Sequence, residues 1–95
     1  MSNPDINTRY SVHFAGTVQG VGFRFMTQRV AGRFEVTGYV QNLPDGRVKV
    51  VAEGSKTVLQ GFLAAIEETM SGYIKETQIV ESPGTGEFHR FDIRF

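Results

Sequence analysis

The chain changes from a strand pattern to a helix pattern within nine residues, Gly16-Thr17-Val18-Gln19-Gly20-Val21-Gly22-Phe23-Arg24. Before this stretch, apolar side chains occupy positions 10, 12 and 14 and alternate with Ser, His and Ala, which is the period of a half-buried strand. After it, apolar residues recur at the spacing of an amphipathic helix over about residues 23–34. The stretch is therefore predicted to be a glycine-bearing loop that joins a first strand to a first helix.

The pattern continues with two more strands and a second helix. The runs 36–41 and 47–53 are strand-like, and the segment between them contains Asp45-Gly46, a strong signal for a hairpin. Ser55 is suited to the N-cap of a second helix, whose apolar residues recur at helical spacing as far as Met70. Gly72 is predicted to close that helix in a left-handed conformation. Residues 74–81 and 91–95 favour extended structure, with a loop over 82–86.

This order of elements, β-α-β-β-α-β with one more short strand, limits the possible topologies. Each βαβ unit requires a right-handed crossover, which places both helices on the same face of the sheet. The sequence therefore predicts an α+β fold of the ferredoxin-like kind, a βαββαβ sandwich whose antiparallel sheet carries two helices on one face and ends in a short C-terminal strand. Since no segment looks like a linker or a repeat, we expect a flexible N-terminal tail over 1–8 and a single domain over 9–95.

The composition excludes several classes of function. The chain has no Cys, which rules out disulfide scaffolds, thiolate-ligated zinc, iron–sulfur clusters and cysteine nucleophiles. Ten basic and ten acidic residues give a net charge of zero, whereas proteins that bind nucleic acid by bulk electrostatics carry an excess of positive charge. No apolar run is long enough to span a membrane and the first residues do not resemble an export signal, so we expect a cytoplasmic protein.

The glycine-bearing loop has the features of an anion site. At a helix N-terminus the first N–H groups lack intrahelical partners and the dipole favours negative charge, while glycine lets successive N–H groups curl around a phosphate. Arg24 falls in the first helical turn, where the dipole disfavours a cation, and its planar fork can hold two phosphoryl oxygens at once. The alternative is that Gly20 and Gly22 only form a turn and that Arg24 is a solvated side chain, since short glycine motifs often occur without function.

Asn42 is the second candidate because it lies at the predicted end of the second strand. In the expected topology this strand end could lie near the glycine-bearing loop, and an amide that both donates and accepts could hold a water beside a bound phosphate. The alternative is that Asn42 opens the turn that follows it. His13 is interpreted as a sheet residue and His89 as a surface residue. Neither has partners at the spacing of metal ligands, so no metal site and no cofactor are expected.

Two motifs at these residues resemble the signatures of the acylphosphatase family. The first signature is similar to Gly16-x-Val18-Gln19-Gly20-Val21-Gly22-Phe23-Arg24. The second is similar to Gly38-Tyr39-Val40-Gln41-Asn42-x-x-x-Gly46-x-Val48. The likeness extends from Val12 to Phe95, and its departures lie outside the glycine-bearing loop, at Phe14, Glu35, 70–76, Gly84 and 89–90.

The resemblance implies metal-free hydrolysis of acyl phosphates to a carboxylate and inorganic phosphate. It implies that Arg24 binds the phosphate and that Asn42 positions the attacking water. It also implies a phosphate cradle made by the backbone of Gln19, Gly20, Val21, Gly22 and Phe23. A carboxylate leaving group with a pKa near about 4 departs without a proton, which fits a sequence with no evident general acid. We expect inorganic phosphate to be product and inhibitor, and the protein to be a monomer that requires neither nucleic acid nor a membrane.

Two other functions are compatible with this fold. A ferredoxin-like module could bind RNA without turnover, and Gly22-Phe23-Arg24-Phe25 superficially resembles an aromatic stacking motif. Such aromatics belong on a central strand, however, and not at a junction between loop and helix. An acylphosphatase-like domain could also serve carbamoyl phosphate chemistry inside a larger maturation protein, but those proteins carry zinc fingers, which a chain without Cys cannot form.

Overall fold

The computed structural model describes residues 8–95, and their elements follow the predicted order. The elements are β1 (Thr8–Gly16), α1 (Phe23–Ala31), β2 (Thr37–Asn42), β3 (Val48–Gly54), α2 (Lys56–Thr69), β4 (Ile74–Pro83) and β5 (Phe91–Arg94). The strands form one sheet in the order β4-β1-β3-β2-β5, which confirms the predicted ferredoxin-like fold. The predicted tail over 1–8 lies outside the described residues except for Thr8, the first residue of β1.

The sheet is mixed and not wholly antiparallel as predicted. β1 pairs antiparallel with β3 and β4, and β3 pairs antiparallel with β2. β5 pairs parallel with β2, with Ile93 opposite Val40. The physical reason is the path of the chain, since β5 reverses the direction of β4 and β4 runs opposite to β2. Because β4 and β5 lie at opposite edges of the sheet, the connection over residues 84–90 passes from one edge to the other.

Both helices pack on one face of the sheet and enclose the core. Alternate residues of β1 face the helices, and Val12 and Phe14 are buried there together with Val40 and Val50. The register accounts for this shared face, because Val50 pairs with both Val12 and Val40. Phe23, the first residue of α1, is also buried, with its ring centroid 5.2 Å from that of Phe14. This contact fixes the start of α1 against the end of β1.

α1 ends earlier than the sequence predicts, at Ala31 and not near residue 34. Gly32 disfavours continuation of the helix, and the following N–H groups make shorter-range bonds. Arg33 N–H donates to the Val30 carbonyl at 2.9 Å, and Phe34 N–H donates to the Ala31 carbonyl at 3.1 Å. Phe34, the last apolar residue at helical spacing, therefore lies in a tight turn beyond the end of α1.

α2 begins as predicted and ends differently. Ser55 is its N-cap, with Oγ accepting a hydrogen bond from Val58 N–H at 3.2 Å. Its C-cap is Met70, at φ −109°, and Gly72 does not adopt a positive φ, so the predicted left-handed glycine cap is wrong. The chain turns into β4 through a hydrogen bond from Tyr73 N–H to the Met70 carbonyl instead.

At 14 residues α2 is the longer helix, and neither helix among residues 8–95 is long and apolar enough to cross a membrane.

A buried carboxylate fixes the crossing from β4 to β5. Ala52 belongs to the core on the helix side, so the next residue, Glu53, faces the opposite side of the sheet, yet it is only 1% exposed. Its carboxylate accepts hydrogen bonds from Thr85 N–H at 3.0 Å, Thr85 Oγ1 at 3.0 Å and Gly86 N–H at 2.9 Å. Arg9 Nε completes the set at 2.7 Å. These bonds hold the 84–90 segment across the helix-free face.

The same contacts keep Glu53 ionised. Burial alone would raise the pKa of Glu53, because it disfavours the charged form. The hydrogen bonds from Gly86 and Thr85 and the ion pair with Arg9 outweigh burial and hold this pKa below its usual value. The carboxylate is therefore more acidic in the folded than in the unfolded chain, which links folding stability to pH.

Replacing Glu53 by Gln should lower the free energy of unfolding by about 3 kcal/mol at pH 7, because Arg9 and the N–H groups of Thr85 and Gly86 would lose their buried, charged partner. Because the folded-state pKa lies below the unfolded one, this difference from wild type should be constant above about pH 5 and shrink as the pH falls through the lowered pKa. Urea unfolding between pH 3 and pH 8 measures both effects.

Glu87→Gln is the matched control, since Glu87 also pairs with Arg9, at 3.3 Å, but is solvent-exposed. It should change the free energy of unfolding by no more than about 0.5 kcal/mol. An equal decrease in the free energy of unfolding in the two variants would contradict the anchoring role of Glu53.

Candidate functional site

The loop between β1 and α1 is shaped by two glycines in the left-handed region. Gly20 and Gly22 both have φ +79°, and the space in which a Cβ would stand is open at each of them. Glycine is thus needed at these positions for backbone conformation and not for lack of room. Gly22 is the N-cap of α1, and no side chain caps the helix. The start of α1 is consequently left open to the solvent.

The backbone N–H groups of this loop have no protein partners. Within residues 8–95, no hydrogen bond uses the N–H groups of residues 19–23, and the first backbone bond of α1 runs from Met26 N–H to the Gly22 carbonyl at 3.0 Å. The first turn of α1 contains no acidic residue that could occupy these donors. Together with the positive end of the helix dipole, the unpaired donors suit an anion that has several oxygens.

Arg24 adds a positive charge directly beside these donors. Its neighbour Phe23 is 2% exposed and points into the core, so Arg24 is directed away from the core. Arg24 Nη1 donates to the Arg94 carbonyl at 3.2 Å, and the guanidinium lies over the ring of Phe95, 4.7 Å from its centroid. In the part of the chain that the structure describes, no carboxylate pairs with Arg24, so most of its N–H donors remain available to an anion.

β2 brings Asn42 to the same place. Val40 is fully buried on the helix side, and Asn42, two residues later, shares that side at the end of the strand. Asn42 and Arg24 line one cavity of about 310 Å³ together with Gly20 and Gly22. The Asn42 side chain makes no hydrogen bond with residues 8–95, so its amide oxygen and nitrogen can both engage a ligand or a water.

Gln19 connects the loop to the hairpin that carries Asn42. Its Nε2 donates to the Leu43 carbonyl at 2.8 Å and to the Arg47 carbonyl at 2.9 Å. These two carbonyls flank the turn that begins directly after Asn42, so the Gln19 side chain sets the separation of Asn42 from the loop. The sequence predicts a role only for the backbone of Gln19, and this side-chain contact could not be predicted because main-chain carbonyls leave no pattern in the sequence.

Of the residues predicted for the site, Gly20, Gly22, Phe23, Arg24 and Asn42 line this cavity. Gln19 and Val21 belong to the same loop but are not among the lining residues, and the roles of all seven stay predictions. Arg24 is the one charged side chain among the described residues that line the cavity. His13 is a sheet residue, as predicted, and lies on the helix-free face, where burial and the charges of Arg47 and Lys49 lower its pKa. Within residues 8–95, no three His, Asp or Glu side chains come together in a way that could hold a metal ion.

Known proteins are similar to this chain in sequence and in fold. The family model for acylphosphatase matches residues 10–93. The chain is 41% identical over 92 residues to an acylphosphatase from Syntrophotalea carbinolica, a match that covers 92% of this chain and 96% of that protein. The crystal structure of acylphosphatase from Bacillus subtilis is similar with a TM-score of 0.84 and 33% identity, covering 93% of this chain and 99% of that one.

A third similarity concerns the fold alone. The crystal structure of full-length HypF in its phosphate- and nucleotide-bound form matches with a TM-score of 0.83 at 24% identity. The match covers all of this chain but 13% of the HypF chain. The fold therefore also occurs as a small part of a much larger protein.

Gly22→Ala should lower the free energy of unfolding by about 1–2 kcal/mol, because an L-residue pays that much to adopt the left-handed region even where its Cβ has room. The affinity of the protein for inorganic phosphate should fall as well, since the N–H groups of the loop would be turned away. Gly72→Ala is the control, because Gly72 has a negative φ and equally open space. Urea unfolding and phosphate titration by calorimetry measure the two effects, and a Gly22→Ala protein of wild-type stability would refute the conformational requirement.

Proposed function

This chain belongs to the acylphosphatase family, and we propose that it hydrolyses the carboxyl–phosphate bond of acyl phosphates to a carboxylate and inorganic phosphate. The proposal rests on one observation: Arg24, Asn42 and the loop residues Gly20, Gly22 and Phe23, whose N–H groups are unpaired, line one cavity. The N–H groups and the guanidinium are suited to a phosphate dianion. The amide is suited to a water molecule.

We propose that the phosphate is held by Arg24 and by the backbone of Gln19, Gly20, Val21, Gly22 and Phe23. The guanidinium fork can bind two phosphoryl oxygens in one plane, and the loop N–H groups can bind the remaining oxygen. The helix dipole adds about half a positive charge to the full charge of Arg24. Because the donors are fixed by backbone conformation before the substrate arrives, they stabilise developing charge without reorganisation.

The reaction needs no acid to protonate the leaving group. A water oxygen forms a bond to phosphorus, the bond from phosphorus to the bridging oxygen breaks, and its electron pair stays on the carboxylate, whose pKa is near about 4. Both protons of the water end on the phosphate, so an acyl phosphate dianion gives a carboxylate and a dihydrogen phosphate monoanion. A cavity whose described lining contains no carboxylate or imidazole side chain is compatible with this chemistry.

We propose that Asn42 aims the water. Its amide oxygen can accept a hydrogen bond from the water and thereby direct a lone pair of the water oxygen at phosphorus, in line with the breaking bond. The contact of the Gln19 side chain with the two carbonyls beyond Asn42 supports this role, because it keeps the amide at a fixed distance from the phosphate loop. Gln19 is thus a positioning residue through its side chain.

An aromatic residue that is buried argues against the RNA-binding alternative. Phe23, one of the two aromatics in Gly22-Phe23-Arg24-Phe25, is 2% exposed and packs on Phe14, so it cannot stack on a base. The monomeric state, the independence from nucleic acid and the cytoplasmic location remain predictions, and gel filtration with an RNA titration tests the first two.

Arg24→Ala should lower kcat/KM for benzoyl phosphate by a factor of about 10³ or more and weaken inhibition by inorganic phosphate, because the ground state and the transition state both lose their charge partner. Arg24→Lys should recover only part of this loss, since an ammonium lacks the planar fork. The assay is phosphate release by the purified protein in excess EDTA.

Arg29→Ala is the matched control, because Arg29 lies on the same helix but beside a different groove. It should keep wild-type kinetics. Loss of turnover in EDTA would contradict a metal-free reaction, and wild-type turnover by Arg24→Ala would contradict the assignment of Arg24.

Asn42→Ala should lower kcat about 100-fold while inorganic phosphate still inhibits at its wild-type concentration, since only the placement of the water is lost. Asn42→Asp should in addition weaken phosphate inhibition, because it adds a negative charge to the cavity. Gln41→Ala serves as the control, since Gln41 faces the other side of β2. If Asn42→Ala weakened phosphate inhibition as strongly as it lowered kcat, Asn42 would be a phosphate ligand and not a positioning residue for water.

A further inference from the structure

Half of the cavity wall has no part in holding a phosphate. Beside the polar groups already described, the cavity is lined by the hydrocarbon side chains of Val18, Phe25, Ile93 and Phe95. A phosphate bound by Arg24 and the loop has no favourable contact to make with them. These four side chains are here called the apolar wall. Val18 is a fully buried core residue and Ile93 packs against the core, so it is Phe25 and Phe95 that require a different explanation.

Packing of the fold does not account for the two aromatic members of the apolar wall. Phe25 is 72% exposed and Phe95 is 95% exposed, whereas most apolar side chains of this size lie in the core. Phe25 stands two residues after the buried Phe23, which turns it about 200° around the helix and away from the core. Neighbouring exposed aromatic rings at the mouth of a cavity are typical of a surface that binds something apolar.

The apolar wall begins where the polar half of the cavity ends. Phe25 follows Arg24 in the helix, and the ring of Phe95 lies against the Arg24 guanidinium, 4.7 Å from its carbon centre. The parallel pairing of β5 with β2 sets Ile93 opposite Val40 and so places the following residues next to Asn42. A molecule whose phosphate lies at Arg24 can therefore extend its other end along these side chains.

We propose that Val18, Phe25, Ile93 and Phe95 form a subsite for the acyl group, and that its ligand is an apolar and preferably aromatic acyl group. The inference rests on the proposed function, because the phosphate end of the substrate is taken to occupy the loop. Acyl groups that carry charge or hydrogen-bonding groups would find no partner there, since Arg24 is the one charged side chain among the described lining residues and is engaged by the phosphate. A small acyl group such as acetyl would leave most of the apolar wall in water.

The test uses two analogues in which a methylene replaces the bridging oxygen, so that neither can be hydrolysed. Phenacylphosphonate represents an aromatic acyl phosphate and acetonylphosphonate represents acetyl phosphate. Calorimetry with the wild-type protein should show that the phenacyl compound binds about tenfold more tightly or better, the scale of discrimination that hydrophobic pockets reach. Arg24→Ala should abolish the binding of both, which ties the measurement to this cavity.

Phe25→Ser is the decisive variant, because the ring that lies against the Arg24 guanidinium is that of Phe95 and because Phe25 is not part of the core. It should remove most of the preference for the phenacyl compound and leave the affinity for acetonylphosphonate unchanged. Phe25→Leu should keep most of the preference, since it restores an apolar side chain. Equal affinity of the wild type for the two analogues, or a preference that survives in Phe25→Ser, would overturn the subsite.

A parallel assay with benzoyl phosphate and acetyl phosphate separates this inference from the proposed function. If neither compound is hydrolysed while the phenacyl preference is present and depends on Phe25, the proposed function fails and the apolar subsite stands. If both compounds are hydrolysed and the analogues bind equally, the function stands and the subsite is refuted.

Discussion

The carboxylate of Glu53 determines where the last part of the chain runs. Arg9 approaches it from β1, and Thr85 and Gly86 approach it from the segment between β4 and β5. An ionised group in the interior requires such a complete set of donors, because it is otherwise strongly destabilising. Since the segment is held there, β5 reaches the far edge of the sheet beside β2, and one wall of the cavity is made from β5 and the residue after it.

The cavity combines groups whose positions are set by different parts of the fold. The loop donors depend on Gly20 and Gly22, and the direction of Arg24 depends on the burial of its neighbour Phe23 in the core. Asn42 depends on the register of the hairpin. The Gln19 side chain bridges these two units, so the site is assembled only when helix and hairpin are both in place. The fixed N–H dipoles stabilise negative charge without gaining or losing a proton themselves. This suits a reaction whose leaving group departs as an anion.

Periodicity and topology were enough to predict the fold and the meeting of Arg24 with Asn42, because both residues stand at ends of elements whose spatial order follows from the fold. The partners of Glu53 could not be predicted, since the N–H groups of Thr85 and Gly86 are common to every residue and leave no side-chain pattern. The same holds for the carbonyls that Gln19 contacts. The parallel direction of β5 depends on the path of a loop. The error at Gly72 arose because glycine permits a left-handed conformation without requiring it.

The first strand, β1, lies inside the sheet, and both of its partners lie far away along the chain. β1 pairs on one side with β3, where Val12 meets Val50, and on the other with β4, where Val12 meets Ile79. Pairings of such long sequence separation slow folding, because the entropy of closing large loops is lost before the contacts form. During synthesis on the ribosome, β1 therefore emerges before either of its partners, and its apolar side chains at 10, 12 and 14 stay uncovered until β3 follows. For that interval the nascent chain depends on dilution or on chaperones to avoid aggregation.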